Sequence, residues 1–335
     1  MGNDEELRLA WQRLEGEHWT RPGSYELRLS SETVHAVYAI LARPEGVVGF
    51  ALDLPPGTGS DIEEDAARGF VLRKTCNDET GSVRLTLMVS ELRYFDVFAV
   101  LSCDVLARVM RTNTAARGGY ALRDRLLHWK KFLKAAGDNG LTIEEQTGLF
   151  GELFVLKKLV GAGVCEPAQV LLSWLGPSGA NQDFSSQGRA IEIKSTTLNN
   201  GSKVSIANER QLDEDGLQCL FLCHLAFDRT AGTGETLPAL IASLMTLFDE
   251  SLHEEFVDRL ILAGYHRLQE SRYETHGYAF RFSGVYRIEG NFPRIKQREL
   301  RSGVGRVSYL ADLSSLPVVS TAIGHLANEI FSRRE

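Results

Sequence analysis

Asn181-Gln182-Asp183-Phe184-Ser185-Ser186-Gln187-Gly188-Arg189-Ala190-Ile191-Glu192-Ile193-Lys194 is the stretch from which the fold can be read. Arg189 to Ser195 alternates as a strand does, so Ile191 and Ile193 point into a core while Glu192 and Lys194 share the other face. The Gln187-Gly188 pair is a turn signal that folds the Asp183 segment back alongside. Asp183 and Glu192, eight residues apart in between, then converge from neighbouring strands on one divalent cation. Mg²⁺ takes oxygen ligands, keeps several waters and is typically held by one or two carboxylates plus substrate phosphate. Lys194, one residue on from that pair, is placed to orient or deprotonate an attacking water and to stabilise charge building on phosphorus.

Upstream, Thr142 predicts an N-cap, with Glu145 completing a capping box, and a helix runs from there to the Gly161-Ala162-Gly163 stop. Glu145 and Glu152 are seven residues apart and so nearly on one face. The capping box accounts for Glu145, whereas Glu152 stands in an apolar run and extends the metal site. Gly148 and Gly151 leave that side thin enough for another element to come close. Downstream, Gln169 to Leu172 and Lys203 to Ile206 read as strands, Asn208 to Leu212 as a short helix, and Leu217 to Phe227 as a buried strand. Asn208, Glu209, Arg210 and Gln211 begin that short helix beside the same sheet edge, with Gln211 within reach of phosphate or a metal-bound water. A helix at about 237–262, strands around 278–288 and a last helix from about 321 complete the chain. Before all this come a helix at about 5–15, a meander of strands with alternating pattern, and helical spacing from about 93 to 133. The Gly, Asp and Asn cluster between Ala135 and Gly140 marks a boundary, giving a β-rich domain at 1–138 and a second domain at 139–335.

With 335 residues, 43% apolar and 24% charged, the chain is ordinary for a globular protein of two domains. No stretch approaches a membrane span, and the acidic start is unlike a signal peptide, so no membrane partner and a cytoplasmic location are expected. Five scattered cysteines suit reduced, buried thiols, and Cys219 with Cys223 lacks the second pair that zinc would need. Gly57-Thr58-Gly59-Ser60 and Gly232-Thr233-Gly234-Glu235 lack the phosphate-loop pattern, and nothing suggests acyl transfer. His224, in an apolar strand, reads as a core histidine. The net charge of -7 argues mildly against binding nucleic acid. Charge is local, however. Between Ala107 and Lys134 eight basic residues, Arg123, Lys130 and Lys131 among them, face one acid, and Tyr120 and Trp129 are interleaved. A second basic segment, Arg281 to Arg306, contains Arg294, Lys296 and Arg298. Each is either a solvated face or a track for a phosphate backbone.

In this order the residues resemble the PD-(D/E)XK nuclease superfamily. More narrowly they resemble the bacterial PD-(D/E)XK motif proteins, a domain of unknown function found near restriction and phage-defence genes. The resemblance is carried by the Gly151 to Leu159 helix, the Trp174-Leu175-Gly176-Pro177 loop, Asp183, Glu192-Ile193-Lys194 and the Ser205 to Leu212 segment. It implies an α/β (α+β mixed sheet) fold: a restriction-endonuclease-like αβββαβ core at about 140–230, with a β-rich N-terminal domain and a C-terminal α/β extension. By the superfamily pattern Asp183, Glu192 and the helix carboxylate Glu152 are metal ligands and Lys194 is the catalytic lysine. Gln182 stands where the superfamily has proline, which is not a ligand. The activity implied is Mg²⁺-dependent cleavage of double-stranded DNA, with Mn²⁺ as a substitute, in restriction or phage defence. A homodimer and partner proteins of a defence system go with that role. A non-cleaving DNA-binding or assembly subunit and an RNase with the same core are the alternatives.

Overall fold

In the first unit the burial pattern follows the sequence alternation directly: Val83 to Val89 alternates buried and half-buried along its whole length. The computed structural model describes residues 3–19, 21–29, 33–136, 140–198 and 201–332. The chain divides into two compact units, Met1–Gly137 and Asp138–Glu335. Of the cluster read as a boundary, residues 137–139 lie outside the described residues.

The first unit starts with helix α1 (Asn3–Gly16), followed by strands β1 (Gly23–Arg28), β2 (Ala36–Arg43), β3 (Val47–Leu54), β4 (Asp65–Ala67), β5 (Phe70–Cys76) and β6 (Val83–Val89). They form one six-stranded antiparallel sheet in the order β1-β2-β3-β6-β5-β4. Helices α2 (Phe95–Met110) and α3 (Ala115–Ala136) follow. Trp11 of α1 stacks on Phe98 of α2 and donates its indole hydrogen to the Gly49 carbonyl at 2.7 Å.

The second unit opens with α4 (Ile143–Gly161), capped by Thr142, whose side chain accepts from Glu145 while Glu145 accepts from the Thr142 backbone. It continues through α5 (Pro167–Ser173), β7 (Phe184–Ser186), β8 (Arg189–Thr196), β9 (Lys203–Ile206), β10 (Cys219–Ala231), β11 (Glu235–Thr236), α6 (Leu237–Leu247), α7 (Glu250–Leu262), α8 (Glu270–Tyr273), β12 (His276–Arg287), β13 (Tyr309–Asp312) and α9 (Gly324–Phe331). The main sheet has the order β11-β12-β10-β8-β7, in which β8 and β10 are parallel and the other pairs antiparallel. Gln187 and Gly188, both with positive φ, make the β7–β8 turn.

Three expectations differ locally. Gln169 to Leu172 lies in helix α5, because Pro167 sits at its first turn and a short apolar run does not by itself separate strand from buried helix. Asn208 to Leu212 forms turns rather than a helix, with the Asn208 side chain taking the Arg210 backbone hydrogen. The long helix is split at Phe248 and Asp249, where Phe248 turns inward to pack on Phe256 at 5.2 Å. In addition, β9 leaves the main sheet and pairs with β13 as a two-stranded ribbon.

The main sheet separates two cores. On one face Ile191, Ile193, Phe221, Cys223 and Leu225 pack with α4, α5, α6, α7 and α9 through Phe150, Leu153, Val170, Leu240, Phe256 and Leu326. On the other, Ala190, Leu220, Leu222 and Tyr286 pack under the β9–β13 ribbon through Val204, Ile206 and Ala311. Helix α4 approaches β8 closely at Gly151, where an added Cβ would stand 1.8 Å from Ser195 Oγ and 2.9 Å from its Cβ. Gly151→Ala is therefore expected to destabilise the fold by about 1–3 kcal/mol through overpacking. Urea denaturation checks this, and adding Ser195→Gly to the same chain should recover part of the loss.

Candidate active site

Strand alternation puts Glu192 and Lys194 of β8 on the ribbon side of the sheet. Glu192 is 1% exposed, unusual for a carboxylate, and its Oε1 accepts from Lys194 Nζ at 2.8 Å. Lys194 Nζ also donates to Gln211 Oε1 at 3.0 Å, and the same oxygen accepts from the Ala207 backbone at 2.8 Å. Gln211 thus ties the turn after β9 to the lysine. Asp183, immediately before β7, accepts from the Ile193 backbone N–H through Oδ2 at 2.7 Å. Its own carbonyl accepts from Leu175 and Gly176 at 2.7 and 3.0 Å. Glu152 comes from α4, where its Oε2 accepts from the Trp174 indole at 2.7 Å. Gly176 marks where the two carboxylates meet: a Cβ there would stand 2.8 Å from Glu152 Oε2 and 3.0 Å from Asp183 Oδ1.

Asp183, Glu192, Lys194, Glu152 and Gln211 are thus brought together from β7, β8, α4 and the turn after β9. Trp174 and Gly176 complete the wall but are not among the ligands read from sequence. The signal for Trp174 was there, since a buried indole seeks an acceptor. Nothing in sequence identifies Gly176 as a residue that must stay small. Glu145 remains in its capping box.

Burial, then the neighbouring negative charge, dominates the electrostatics. The Glu152 carboxyl is raised well above the ordinary glutamate range by loss of water and next by Asp183. Loss of water and then Asp183 likewise raise Glu192, against the pull of Lys194. Burial pushes Asp183 up to about 6, offset in part by the Ile193 hydrogen bond. Glu192 Oε2 is buried with no hydrogen-bond partner among the described residues. An orphaned carboxylate oxygen beside two further carboxylates fits a hard divalent cation. Among the described residues no group of three or more His, Cys, Asp or Glu side chains is placed to hold a metal ion. One or two carboxylates suffice where water and substrate fill the remaining positions of a Mg²⁺ shell.

The family model described as "Putative PD-(D/E)XK family member" matches residues 7–314. The chain belongs to this PD-(D/E)XK family. No curated protein and no solved structure matches it. The match runs across both units, so the PD-(D/E)XK assignment embraces the β-rich unit as well as the sheet that bears Asp183, Glu192 and Lys194.

The basic residues expected to follow a phosphate backbone behave differently from one another. Arg294, with its side chain 3% exposed, is bound to Glu214 at 2.7 Å, and Lys296 is bound to the same carboxylate. These two are internal ties rather than a cationic surface, because Glu214 pairs with both and little of either side chain is exposed. Arg298 is exposed and pairs with Asp215 at 3.3 Å. In the first unit Arg123 is held by Asp124 at 2.8 Å and lies over the Tyr120 ring, Lys130 is bound to Asp65, and Lys131 is exposed. Trp129 is fully buried and donates to Asp104 at 2.7 Å, so it offers no stacking face. No helix among the described residues is long and apolar enough to cross a membrane.

The raised carboxyls carry a stability cost in the metal-free protein. A folded carboxyl that keeps its proton where the unfolded chain has released it loses stability as pH rises, for Asp183 between about 4 and about 6. Asp183→Asn is therefore expected to raise the metal-free melting temperature at pH 8, corresponding to about 1–3 kcal/mol, with a smaller gain at pH 4. Thermal denaturation in EDTA at the two pH values measures it.

Proposed function

We propose that this PD-(D/E)XK protein is a divalent-metal-dependent endonuclease that hydrolyses phosphodiester bonds of double-stranded DNA. What carries the reading is Glu192: a carboxyl sealed into a sheet, with one oxygen on a lysine and the other without a partner, close enough to Asp183 and Glu152 to feel their charge. Asp183, Glu192 and Glu152 would hold Mg²⁺, or Mn²⁺ in its place, through oxygen donors alone. When bound, such a cation supplies an activated water nucleophile and neutralises charge on the phosphoryl and leaving oxygens.

The chain's own residues do the positioning. Of the three Nζ hydrogens of Lys194, one is directed to Glu192 and one to Gln211, which leaves a third for a water or a phosphoryl oxygen. Fixed in this way, the ammonium meets developing negative charge without reorganising. Gln211 acts through Lys194 and is a positioning residue. Ile193 N–H fixes one Asp183 oxygen and Trp174 one Glu152 oxygen, so each carboxylate keeps a second oxygen for a ligand. A single site cuts one strand, so double-strand breaks call for a homodimer, and partner proteins of a defence system fit the same role.

Cleavage of supercoiled plasmid in Mg²⁺ and in Mn²⁺, with EDTA as control, tests the reading. Lys194→Ala and Asp183→Ala are each expected to lower the rate by about 10²–10³-fold or more, with the far-UV circular dichroism unchanged. Undiminished cutting by either folded variant would remove the mechanism. Metal-dependent cutting of RNA alone would make the protein an RNase, and DNA binding without cutting of any substrate would make it a non-cleaving subunit.

A further inference from the structure

Across the main sheet, on the face that carries Glu192, strand register sets three residues in one row: Lys194 of β8, His224 of β10 and Gly284 of β12. Adjacent strands are about 4.8 Å apart, so His224 is the immediate lateral neighbour of the lysine. His224 is 2% exposed, and its Nε2 has no hydrogen-bond partner among the described residues. Buried polar nitrogens are nearly always satisfied, and one that is not points to a ligand or water.

Little of the ring is open to solvent. It lines an open groove of about 450 Å³ together with Gly201, Ser202, Phe282, Tyr286 and Val318. At Gly201 a Cβ would come 3.5 Å from His224 Cε1 and 3.7 Å from Nε2, so the glycine borders the imidazole edge without a side chain of its own. At Gly284 a Cβ would collide with the Tyr286 ring at 2.9 Å, so that glycine lets the tyrosine form one wall. Phe282 meets the imidazole at 80° and 5.5 Å between centroids, and at 42% exposure it is among the large apolar side chains left open to solvent. Burial pushes His224 down to about 4, so the imidazole is neutral at physiological pH, with one nitrogen donating and the other accepting.

An exposed aromatic face, a second ring as wall and one neutral hydrogen-bonding nitrogen is the chemistry that recognises a nucleobase. A paired, stacked base cannot enter such a groove without leaving the helix. We infer that the groove receives one unpaired base of the nucleic-acid substrate, stacked on Phe282 and hydrogen-bonded by His224 Nε2, beside the phosphate that Lys194 attends. This rests on the nuclease reading and adds a preference for substrates with an unpaired base at that position.

Full-length protein with Ca²⁺ in place of Mg²⁺, titrated into a series of duplexes carrying 2-aminopurine at successive positions of a single-stranded overhang, tests it. Quenching is expected at one unpaired position and not inside the paired region. Phe282→Ala should abolish that quenching and weaken overhang binding about 5- to 100-fold. His224→Leu, which keeps the buried volume, should leave the melting temperature near wild type and weaken the same substrate, with fully paired duplex bound as before. A protein that cleaves in Mg²⁺ yet quenches at no position, or whose Phe282→Ala variant binds overhangs as well as wild type, overturns the base groove alone. Neither cleavage nor binding of any nucleic acid overturns the nuclease reading and the groove with it.

Discussion

Glu192 is a carboxyl group placed where a sheet would ordinarily put a hydrophobic side chain. Removing a carboxylate from water is expensive, and one lysine repays only part of it. The surroundings of Glu192 are arranged about that deficit. Lys194 meets one oxygen, Gln211 keeps Lys194 from swinging away, and the Ala207 backbone keeps Gln211 in place. The β9–β13 ribbon shuts water out from above through Val204 and Ile206. The remaining oxygen is left without a partner, and Asp183 and Glu152 add negative charge instead of relieving it. Such an arrangement lowers stability unless a cation completes it, the usual relation between strain and function at a site.

The other face of β8 shows how the deficit is tolerated. Helix α4 can deliver Glu152 because Gly151 lets its backbone settle against Ser195. Behind that contact lies the larger apolar core, built from six helices and the other face of the sheet. Packing and the candidate site are thus divided between the two faces of one strand: Ile191 and Ile193 pack into the core, while Glu192 and Lys194 form part of the candidate site. The period of two that separates them also makes them inseparable, since a slip of one residue would exchange the faces.

Much of this was legible in the sequence, and the parts that were not have physical reasons. The β7–β8 hairpin was readable because alternation and the Gln187-Gly188 turn agree, and the start of α4 because Thr142 and Glu145 cap each other. The carboxylates and the lysine were readable as types at a spacing, and their meeting followed from the hairpin. What escaped was set by tertiary contacts. Trp174 finds Glu152 across 22 residues, Gly176 is defined only by what would collide with it, and β9 leaves the main sheet for a partner more than 100 residues later. Composition left the basic segments open for the same reason: counting basic residues in a segment says nothing of acids that fold against them.

Acids folded against basic side chains change how electrostatics bears on the proposed function. Arg125 is tied to Asp104, Lys130 to Asp65, and Arg294 with Lys296 to Glu214, so much of the local positive charge is spent inside the protein. Beside Gln211, exposed Arg210 lines a polar groove with Asn181, Gln297 and Arg298, but Asp213 and Asp215 share it. A polyanion therefore meets near-balanced charge there, and three carboxylates against one lysine at the centre. A phosphate approaches such a centre favourably only once a divalent cation has reversed its sign. On the nuclease reading, cation and phosphate must then bind with positive coupling, each raising the affinity of the other by the same factor. Few direct phosphate contacts also release few counterions, so the affinity should rest on the cation and on contacts to the bases more than on a basic track. The overall acidity of the chain is then compatible with nucleic acid as substrate, because the positive charge that matters most is the one the carboxylates bring in.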